Sequence, residues 1–303
     1  MSEHPVPVAS PEHGYYGLPV LKKPVWGWEI PAYLFVGGIA GPAAIIAAVA
    51  DRRDGGRGPL VRDAHWIAAA GGLASAALLT SDLGRPERFF NMLRVFKPQS
   101  PMSMGSWILM AFSTTSGAAA MADAVANHTH GRLPVRLIEG SRLTTSTLGA
   151  VAGSLLATYT GVLIGSTAIP VWNANARLLP VHFGAAGFGS AASLLELLGH
   201  DDPALNQLAL TAAAIETAVF ASLELDDNPK LQPLKTGPSG RSMRLAGLLA
   251  GPVPLALRLL CGRSHRWRQV AAVSSLAGSL LSRLAWIAAG RASADDPHVA
   301  LER

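Results

Sequence analysis

Residues 31–50 read PAYLFVGGIAGPAAIIAAVA, a run of twenty residues without Asp, Glu, Lys or Arg. A helix of about 20 apolar residues crosses the hydrocarbon core of a bilayer, so this stretch predicts a transmembrane helix. Three more stretches, 64–80, 104–122 and 143–168, are equally free of these charged residues. The chain is 50% hydrophobic and only 15% charged, which is too apolar for an ordinary soluble domain. The sequence therefore predicts an integral membrane protein.

Four later apolar stretches bring the predicted number of transmembrane helices to eight: 178–198, 203–224, 245–260 and 267–289. Gly and Ala crowd nearly every stretch, which permits close contact between helices in lipid. We predict an all-α integral membrane protein whose eight transmembrane helices form two four-helix bundles. The helical domain covers residues 29–290, between an extramembrane tail at 1–28 and a second tail at 291–303.

The seventh and eighth stretches are the least regular. The seventh contains Pro252 and Pro254 and has 13 uncharged residues between Arg244 and Arg258. A re-entrant segment is the alternative interpretation for this part of the chain. The eighth stretch contains Arg283 in its interior.

Alternating membrane crossings divide the connections between two membrane faces. The face that holds the amino-terminal tail is called side A, and the opposite face is side B. Side A also receives 81–103, 170–177, 225–243 and the carboxy-terminal tail, whereas side B receives 51–63, 127–142, 199–202 and 261–266. Lys and Arg are nearly equal in number on the two sides, so the positive-inside rule does not orient the chain.

Composition narrows the possible functions. The first 28 residues lack the early basic region and apolar centre of a signal peptide, so we expect the first helix to direct membrane insertion. The net charge of +5 is typical of loops beside lipid and does not indicate nucleic-acid binding. The single cysteine, Cys261, excludes an internal disulfide, a Cys-ligated iron–sulfur cluster and a CxxC metal site.

Polar side chains converge at the side-A ends of the predicted helices. Glu29 lies at the start of the first helix, and Asp82 ends the second. Tyr159 lies about nine residues inside the fourth helix, roughly 14 Å deep. Two acids and a phenol at one interface are suited to exchanging protons with an amphipathic substrate. Three further polar residues belong to this side: Arg85, Arg177 and His182.

Each of these residues also has a purely structural interpretation. Asp82, followed by Gly84 and Pro86, fits the pattern that ends a helix. Tyr159 fits an aromatic anchor at the interface. An acid such as Glu29 at a helix end often caps the helix or extends to water, and a lone His182 is commonly structural.

Four motifs in this sequence resemble the NrfD-like membrane subunits, a family that includes the membrane subunit of polysulfide reductase. They are WGWEIPAYLFVGG at Trp26–Gly38, DLGRPERF at Asp82–Phe89, PQSPMSMGSW at Pro98–Trp107 and YTGVL at Tyr159–Leu163. They occur in the family's order and cover roughly the first 180 residues. The later part agrees mainly in its number of helices.

The resemblance implies a subunit that exchanges electrons between menaquinone or another quinone and an attached ferredoxin-like iron–sulfur subunit. That partner commonly serves a molybdopterin catalytic subunit. The resemblance also implies a multi-pass protein of the cytoplasmic membrane, with side A facing the periplasm or cell exterior. The terminal substrate and the direction of electron flow are not encoded in this chain.

The resemblance also suggests roles for residues on side A. Asp82 and Tyr159 occupy matching motif positions beside the quinone, whereas residue type varies at the position of Glu29. In this interpretation Tyr159 donates a hydrogen bond to a quinone oxygen, and Asp82 and Glu29 relay protons. Arg85 positions Asp82 or meets an acidic partner. Arg177 and His182 are the remaining candidates for quinone contact.

Other buried polar residues suggest further possibilities. Two axial histidines are needed for a b-type haem, but His65 and His182 are predicted on opposite sides, so we expect neither haem nor a metal site. Glu216 lies inside the sixth helix and could belong to a proton path, with Arg283 as a candidate partner. A proton-coupled secondary transporter and a purely structural membrane anchor remain the alternative functions.

Overall fold

A computed structural model describes residues 21–54, 58–84, 87–128, 135–262 and 264–295. Every regular element in these ranges is helical, which confirms the predicted all-α class. The described residues form one 3₁₀ turn, Pro229–Leu231, and twelve α-helices. These are α1 Glu29–Asp54, α2 Pro59–Asp82, α3 Arg88–Arg94, α4 Pro101–His128, α5 Val135–Gly165, α6 Pro170–Ala174, α7 Leu178–Leu197, α8 Pro203–Leu225, α9 Gln232–Lys235, α10 Gly237–Ala250, α11 Pro252–Cys261 and α12 His265–Asp295.

Within the described residues, seven segments are long and apolar enough to cross a membrane. They comprise α1, α4, α5, α7, α8, α12 and the segment Gly237–Cys261 that α10 and α11 form together. The chain is therefore a multi-pass membrane protein. Helix α2, the second of the eight predicted transmembrane helices, is not among these seven segments, although it has 24 residues.

Helix packing separates the long helices into two sets of neighbours. In the first set α1 packs against α2 and α5, and α4 packs against the same two helices. In the second set α7 packs against α8 and α12, while α10 and α11 pack against both α8 and α12. Contacts of α7 with α1 and α5, and of α12 with α1, join the two sets.

Glycines permit close helix approaches, both within the first set of helices and between the two sets. A Cβ on Gly153 of α5 would overlap the backbone of Gly41 on α1, lying only 3.3 Å from its Cα. A Cβ on Gly187 of α7 would likewise overlap the carbonyl oxygen of Gly38. Small residues let backbones meet in this way, and such packing holds helices together in lipid.

The irregular seventh stretch is a broken helix. Helix α10 ends at Ala250 and α11 begins at Pro252, with Gly251 between them at φ −108° and ψ −92°. Proline at the first position of a helix has no N–H to donate and also clashes with the preceding turn, so it starts a new helix here. Arg258 of α11 is buried and holds both carboxylate oxygens of Glu196 on α7, at 2.6 and 2.9 Å. This pair explains how an arginine is accommodated in the apolar segment.

The described ends of the chain lie together on side A. Lys23 Nζ is 2.5 Å from Asp295 Oδ2, so the segment before α1 touches the last turn of α12. The ring of Trp26 stacks on that of Trp172 in α6, with centroids 5.2 Å apart. On side B, Asp63 of α2 contacts His200 after α7 at 2.9 Å, and Asp201 contacts Arg268 of α12 at 2.6 Å.

Candidate functional site on side A

Asp82 ends α2 and ties this helix to the segment before α1. The backbone N–H of Gly27 donates to Asp82 Oδ1 at 3.1 Å. Just beyond, Gly84 has φ +63°, a left-handed conformation that glycine adopts without steric cost. The DLG sequence therefore stops the helix and leaves the carboxylate facing the amino-terminal segment.

The carboxylate of Glu29 lies on the other side of Gly27. A Cβ built on Gly27 would overlap Glu29 Oε2 and would lie 3.5 Å from Asp82 Oδ1. Gly27 thus has room only for a hydrogen atom where the two acids meet. The predicted pair of acids is brought together, one from each of the first two long helices.

Tyr159 of α5 lies deeper, against α4. It is 8% exposed; the Gly105 backbone N–H lies at its hydroxyl oxygen, and its O–H proton has no acceptor among the described residues. A Cβ built on Gly105 would lie 2.6 Å from Tyr159 Cε1 and 3.3 Å from its hydroxyl oxygen. Gly105 belongs to the SPMSMGSW motif, so this motif forms the surface on which the phenol ring rests.

Tyr33 lies between the two acids and Tyr159. It was not predicted from the sequence as a site residue. It follows Glu29 by four residues, which places both on one face of α1. It is 2% exposed, and its phenol interacts electrostatically with that of Tyr159. The four-residue spacing within WEIPAYLF was the signal that could have identified it. We call Glu29, Tyr33, Asp82 and Tyr159 the side-A site.

The other predicted contact residues have different surroundings. Arg85 lies outside the described residues. Arg177 is exposed in the turn before α7. His182 is buried in α7, where its Nδ1 lies 3.0 Å from Glu216 Oε1 of α8. His182 and Glu216 were predicted separately, and the structure makes them a pair within the second set of helices.

The loop before α4 folds back onto its first turns. The hydroxyl of Ser103 donates to the Val95 carbonyl at 3.2 Å and accepts from the Lys97 N–H at 3.1 Å. The ring of Phe96 packs edge-on against Trp107, with centroids 5.9 Å apart. These contacts give the SPMSMGSW motif a structural task, which is to fix a loop that stays exposed on side A.

At the opposite end, the first set of helices holds a second polar cluster that sequence reasoning did not identify. His65 of α2 contacts Asp123 of α4 through Nδ1 and Ser146 of α5 through Nε2 at 3.1 Å. Arg142 Nη1 of α5 lies 2.7 Å from Asp51 Oδ1 of α1 and 3.7 Å from Asp123 Oδ1. All five are buried, and we call them the side-B cluster.

The side-A site has the groups needed to bind and protonate a carbonyl-bearing molecule. A buried phenol can donate a hydrogen bond to an oxygen, and two acids near the interface can exchange protons with water. No group of three or more His, Cys, Asp or Glu that could hold a metal ion occurs within the described ranges.

Comparison with known proteins gives one match that covers most of the chain. A family model described as "Polysulphide reductase, NrfD" matches residues 19–293. This range contains the whole side-A site and the side-B cluster. No curated protein matches the sequence.

Proposed function

The chain belongs to the NrfD polysulphide reductase family, and on that premise we propose that it exchanges electrons between a membrane quinone, such as menaquinone, and an attached iron–sulfur subunit. Family members are membrane subunits of oxidoreductase complexes and work with molybdopterin and iron–sulfur subunits. We place the quinone at the side-A site. The complex then lies in the cytoplasmic membrane, with this site toward the periplasm or exterior.

The observation that carries the proposal is the buried hydroxyl of Tyr159. The Gly105 backbone N–H lies at its oxygen, but the O–H proton has no acceptor among the described residues, although buried polar groups normally form hydrogen bonds. A serine or threonine hydroxyl on a helix can bond to a carbonyl one turn back, as Thr158 does to Ser154 at 3.1 Å. A phenol has no such local partner, so Tyr159 is free to donate to a quinone oxygen.

The acids of the side-A site complete the chemistry. Oxidation of a quinol releases two electrons and two protons, and reduction of the quinone takes up the same number. Electrons pass to or from the iron–sulfur partner. Asp82 and Glu29 accept or return the protons and exchange them with water at the side-A surface. Tyr33 positions Tyr159 and extends the row of polar groups from Glu29 inward.

The same face offers a surface for the partner subunit. The loop held by Ser103 presents Arg94, Lys97 and Phe96, which are all exposed. Arg177 is exposed on this side as well, and Arg85 follows Asp82 in the sequence. Basic residues around an apolar ring suit an acidic protein partner, because complementary charge speeds and orients docking.

We further propose that α2 is the eighth membrane crossing. Residues 64–80 of this helix carry no Asp, Glu, Lys or Arg, and the helix packs along α1 and α4. The two sets of neighbouring helices then correspond to two four-helix bundles, with α10 and α11 counted as one crossing. The quinone site lies within the first bundle.

Tyr159→Phe tests this function in the assembled complex. The variant keeps the ring, so packing against Gly105 should survive while the hydrogen bond is lost. Because a hydrogen bond to a charged oxygen contributes about 1.5–3 kcal/mol, quinone turnover should fall roughly 10- to 100-fold. Thr158→Val is the matched control, since it removes the neighbouring exposed hydroxyl and should leave turnover unchanged.

Asp82→Asn is the second arm of the experiment. Asparagine retains an oxygen for the Gly27 N–H but cannot relay a proton, so turnover should fall at least as much while the iron–sulfur subunit stays bound. Normal turnover in both Tyr159→Phe and Asp82→Asn would overturn the proposal. That result would favour a purely structural anchor, in which Asp82 serves only to hold Gly27.

A further inference from the structure

The second set of helices contains a buried histidine with a hydrogen-bond partner at only one of its two ring nitrogens. His182 of α7 is 4% exposed, and its Nδ1 is bonded to Glu216, which is also 4% exposed. The other ring nitrogen, Nε2, has no partner among the described residues. The same holds for Nε1 of Trp286, whose ring centroid is 6.2 Å from that of His182. Buried polar atoms left in this state indicate a site for water or another small polar ligand.

A cavity of about 10 Å³ lies beside this pair. That volume is close to what a single water molecule requires. Apolar residues of α8 and α10 form most of its wall, and His182, Glu216 and Ser282 supply the polar part. Phe220 and Gly247 are partly exposed, so the cavity comes near the surface between α8 and α10.

With His182 neutral, the negative charge of Glu216 is matched by one nearby positive charge. Arg283 of α12 is fully buried and donates to the Phe183 carbonyl at 3.1 Å, and it interacts electrostatically with Glu216. The positive guanidinium therefore offsets the carboxylate. Among the residues whose side chains are described, the other buried titratable groups of α1, α2 and α5 belong to the side-A site or the side-B cluster. Glu196 of α7 is bonded to Arg258.

We propose that His182, Glu216 and this cavity form a water-binding proton-exchange site, separate from the side-A site. A hydronium ion in the cavity gives its proton to the lone pair of His182 Nε2 and remains as water. The resulting imidazolium is paired with Glu216 through Nδ1, which limits the cost of its burial. The reverse step returns the proton, and no electron transfer is involved.

The position of the site fits exchange with side A. His182 is four residues from the start of α7, about 6 Å along the helix. Glu216 is nine residues from the end of α8, about 14 Å along it. The site therefore extends from near the side-A surface into the membrane interior, where ionisable groups are commonly functional.

Hydrogen exchange at histidine rings tests this proposal without quinone or partner subunits. The full chain would be labelled with ¹⁵N-histidine in lipid nanodiscs, and signals assigned by their loss in His182→Gln and His65→Gln. His65 is an internal control, because it is equally buried but has partners at both ring nitrogens. We expect the ring proton of His182 to exchange with D₂O at least about tenfold faster than that of His65.

Gly247→Ala provides the matched variant. A Cβ at this position would lie 2.7 Å from Cγ of Phe220, so the phenyl ring must shift, and because both residues line the cavity its shape changes. Exchange at His182 should slow to about the rate of His65, while Gly140→Ala, whose Cβ meets nothing within 4 Å, should have no effect. Equal exchange rates for His182 and His65 in the unmodified chain would overturn the proposal. So would fast exchange that persists in a folded Gly247→Ala variant.

Discussion

The position of the Tyr159 ring depends on Gly105, against which it packs. Its ring fills the space that a side chain at position 105 would occupy, with Cε1 2.6 Å from an ideal Cβ there. Because Gly105 has no side chain, α4 and α5 can pack closely enough for the phenol ring to lie against the Gly105 backbone. Any side chain at this position would push the ring away or separate the two helices. The same relation holds at Gly27, which lies between the carboxylates of Glu29 and Asp82.

Gly105→Ala should therefore displace the Tyr159 ring without altering any titratable group. We expect quinone turnover in the complex to fall about tenfold or more, comparable with loss of the hydroxyl itself. Gly117→Ala on the same helix is the control, because its Cβ would meet nothing within 4 Å. Steady-state quinone kinetics of the two variants measure the difference. Unchanged turnover in Gly105→Ala would show that the ring position is unimportant.

At the scale of helices, close backbone approaches determine which elements share a site. Helices α1 and α5 meet where Gly41 faces Gly153. Because α1 carries Glu29 and Tyr33 while α5 carries Tyr159, this approach sets the distance across the side-A site. In lipid such packing replaces the hydrophobic effect as the force between helices.

Gly153→Ala should separate α1 from α5, since its Cβ would collide with the backbone of Gly41, which cannot rotate away. We expect a lower thermal unfolding midpoint in detergent and weaker quinone binding, because overpacking typically costs about 1–3 kcal/mol. Gly149→Ala, one turn away, should be tolerated, as its nearest neighbour is Ser116 Oγ at 3.6 Å. Equal midpoints for the two variants would contradict this account of the α1–α5 contact.

Asp202, at the start of α8, makes two kinds of stabilising interaction. Asp202 accepts from the Ala204 N–H at 2.8 Å as the helix cap and forms an ion pair with Arg53 of α1. The Arg53 guanidinium hydrogen-bonded to Asp202 holds the pKa of this carboxyl below its ordinary value. A lowered folded pKa means that the ion pair stabilises the protein above the ordinary aspartate value of 3.8 and loses this effect as pH falls through the folded value.

Asp202→Asn and Asp202→Ala separate the two interactions. Asparagine still caps a helix, so Asp202→Ala should be less stable than Asp202→Asn by about 1 kcal/mol at every pH. The difference between the unmodified chain and Asp202→Asn should be present at neutral pH and vanish in strong acid. Thermal midpoints measured across pH give both differences. A pH-independent gap between the unmodified chain and Asp202→Asn would contradict the ion-pair contribution.

The whole molecule has two chemically different ends. Side A contains the site with the unpartnered phenol and an exposed loop with basic residues. Side B is closed by ion pairs between helices, including those of the buried side-B cluster.

Surface labelling determines which end faces outward. Lys230 on side A is partly exposed and Arg266 on side B is exposed, and Cys261 can be replaced by serine to remove the native thiol. With side A toward the exterior, an impermeant maleimide should label Lys230→Cys in intact cells. Arg266→Cys should react only after the membrane is made permeable. The reverse pattern would place side A in the cytoplasm.

The sequence by itself determined the class of the protein, and it predicted the candidate residues of the side-A site. Long uncharged stretches predict transmembrane helices because the thickness of the bilayer sets the number of apolar residues that a helix needs to cross it. Pro252 and Pro254 indicate the broken helix because proline disrupts the hydrogen bonding of the turn that precedes it. The family motifs predicted Asp82 and Tyr159 as site residues. Helix α2 is the one predicted transmembrane helix that is not among the seven segments long and apolar enough to cross a membrane.

Only the tertiary structure decided which polar groups meet. His182 pairs with Glu216, and His65 joins Asp123, Arg142 and Asp51, although these residues lie far apart in the chain. Membrane helices of this composition are apolar around most of their circumference, so periodicity does not show which face turns inward. The packing of each helix against its neighbours fixes which face turns inward, and this decides where each buried charge finds its partner.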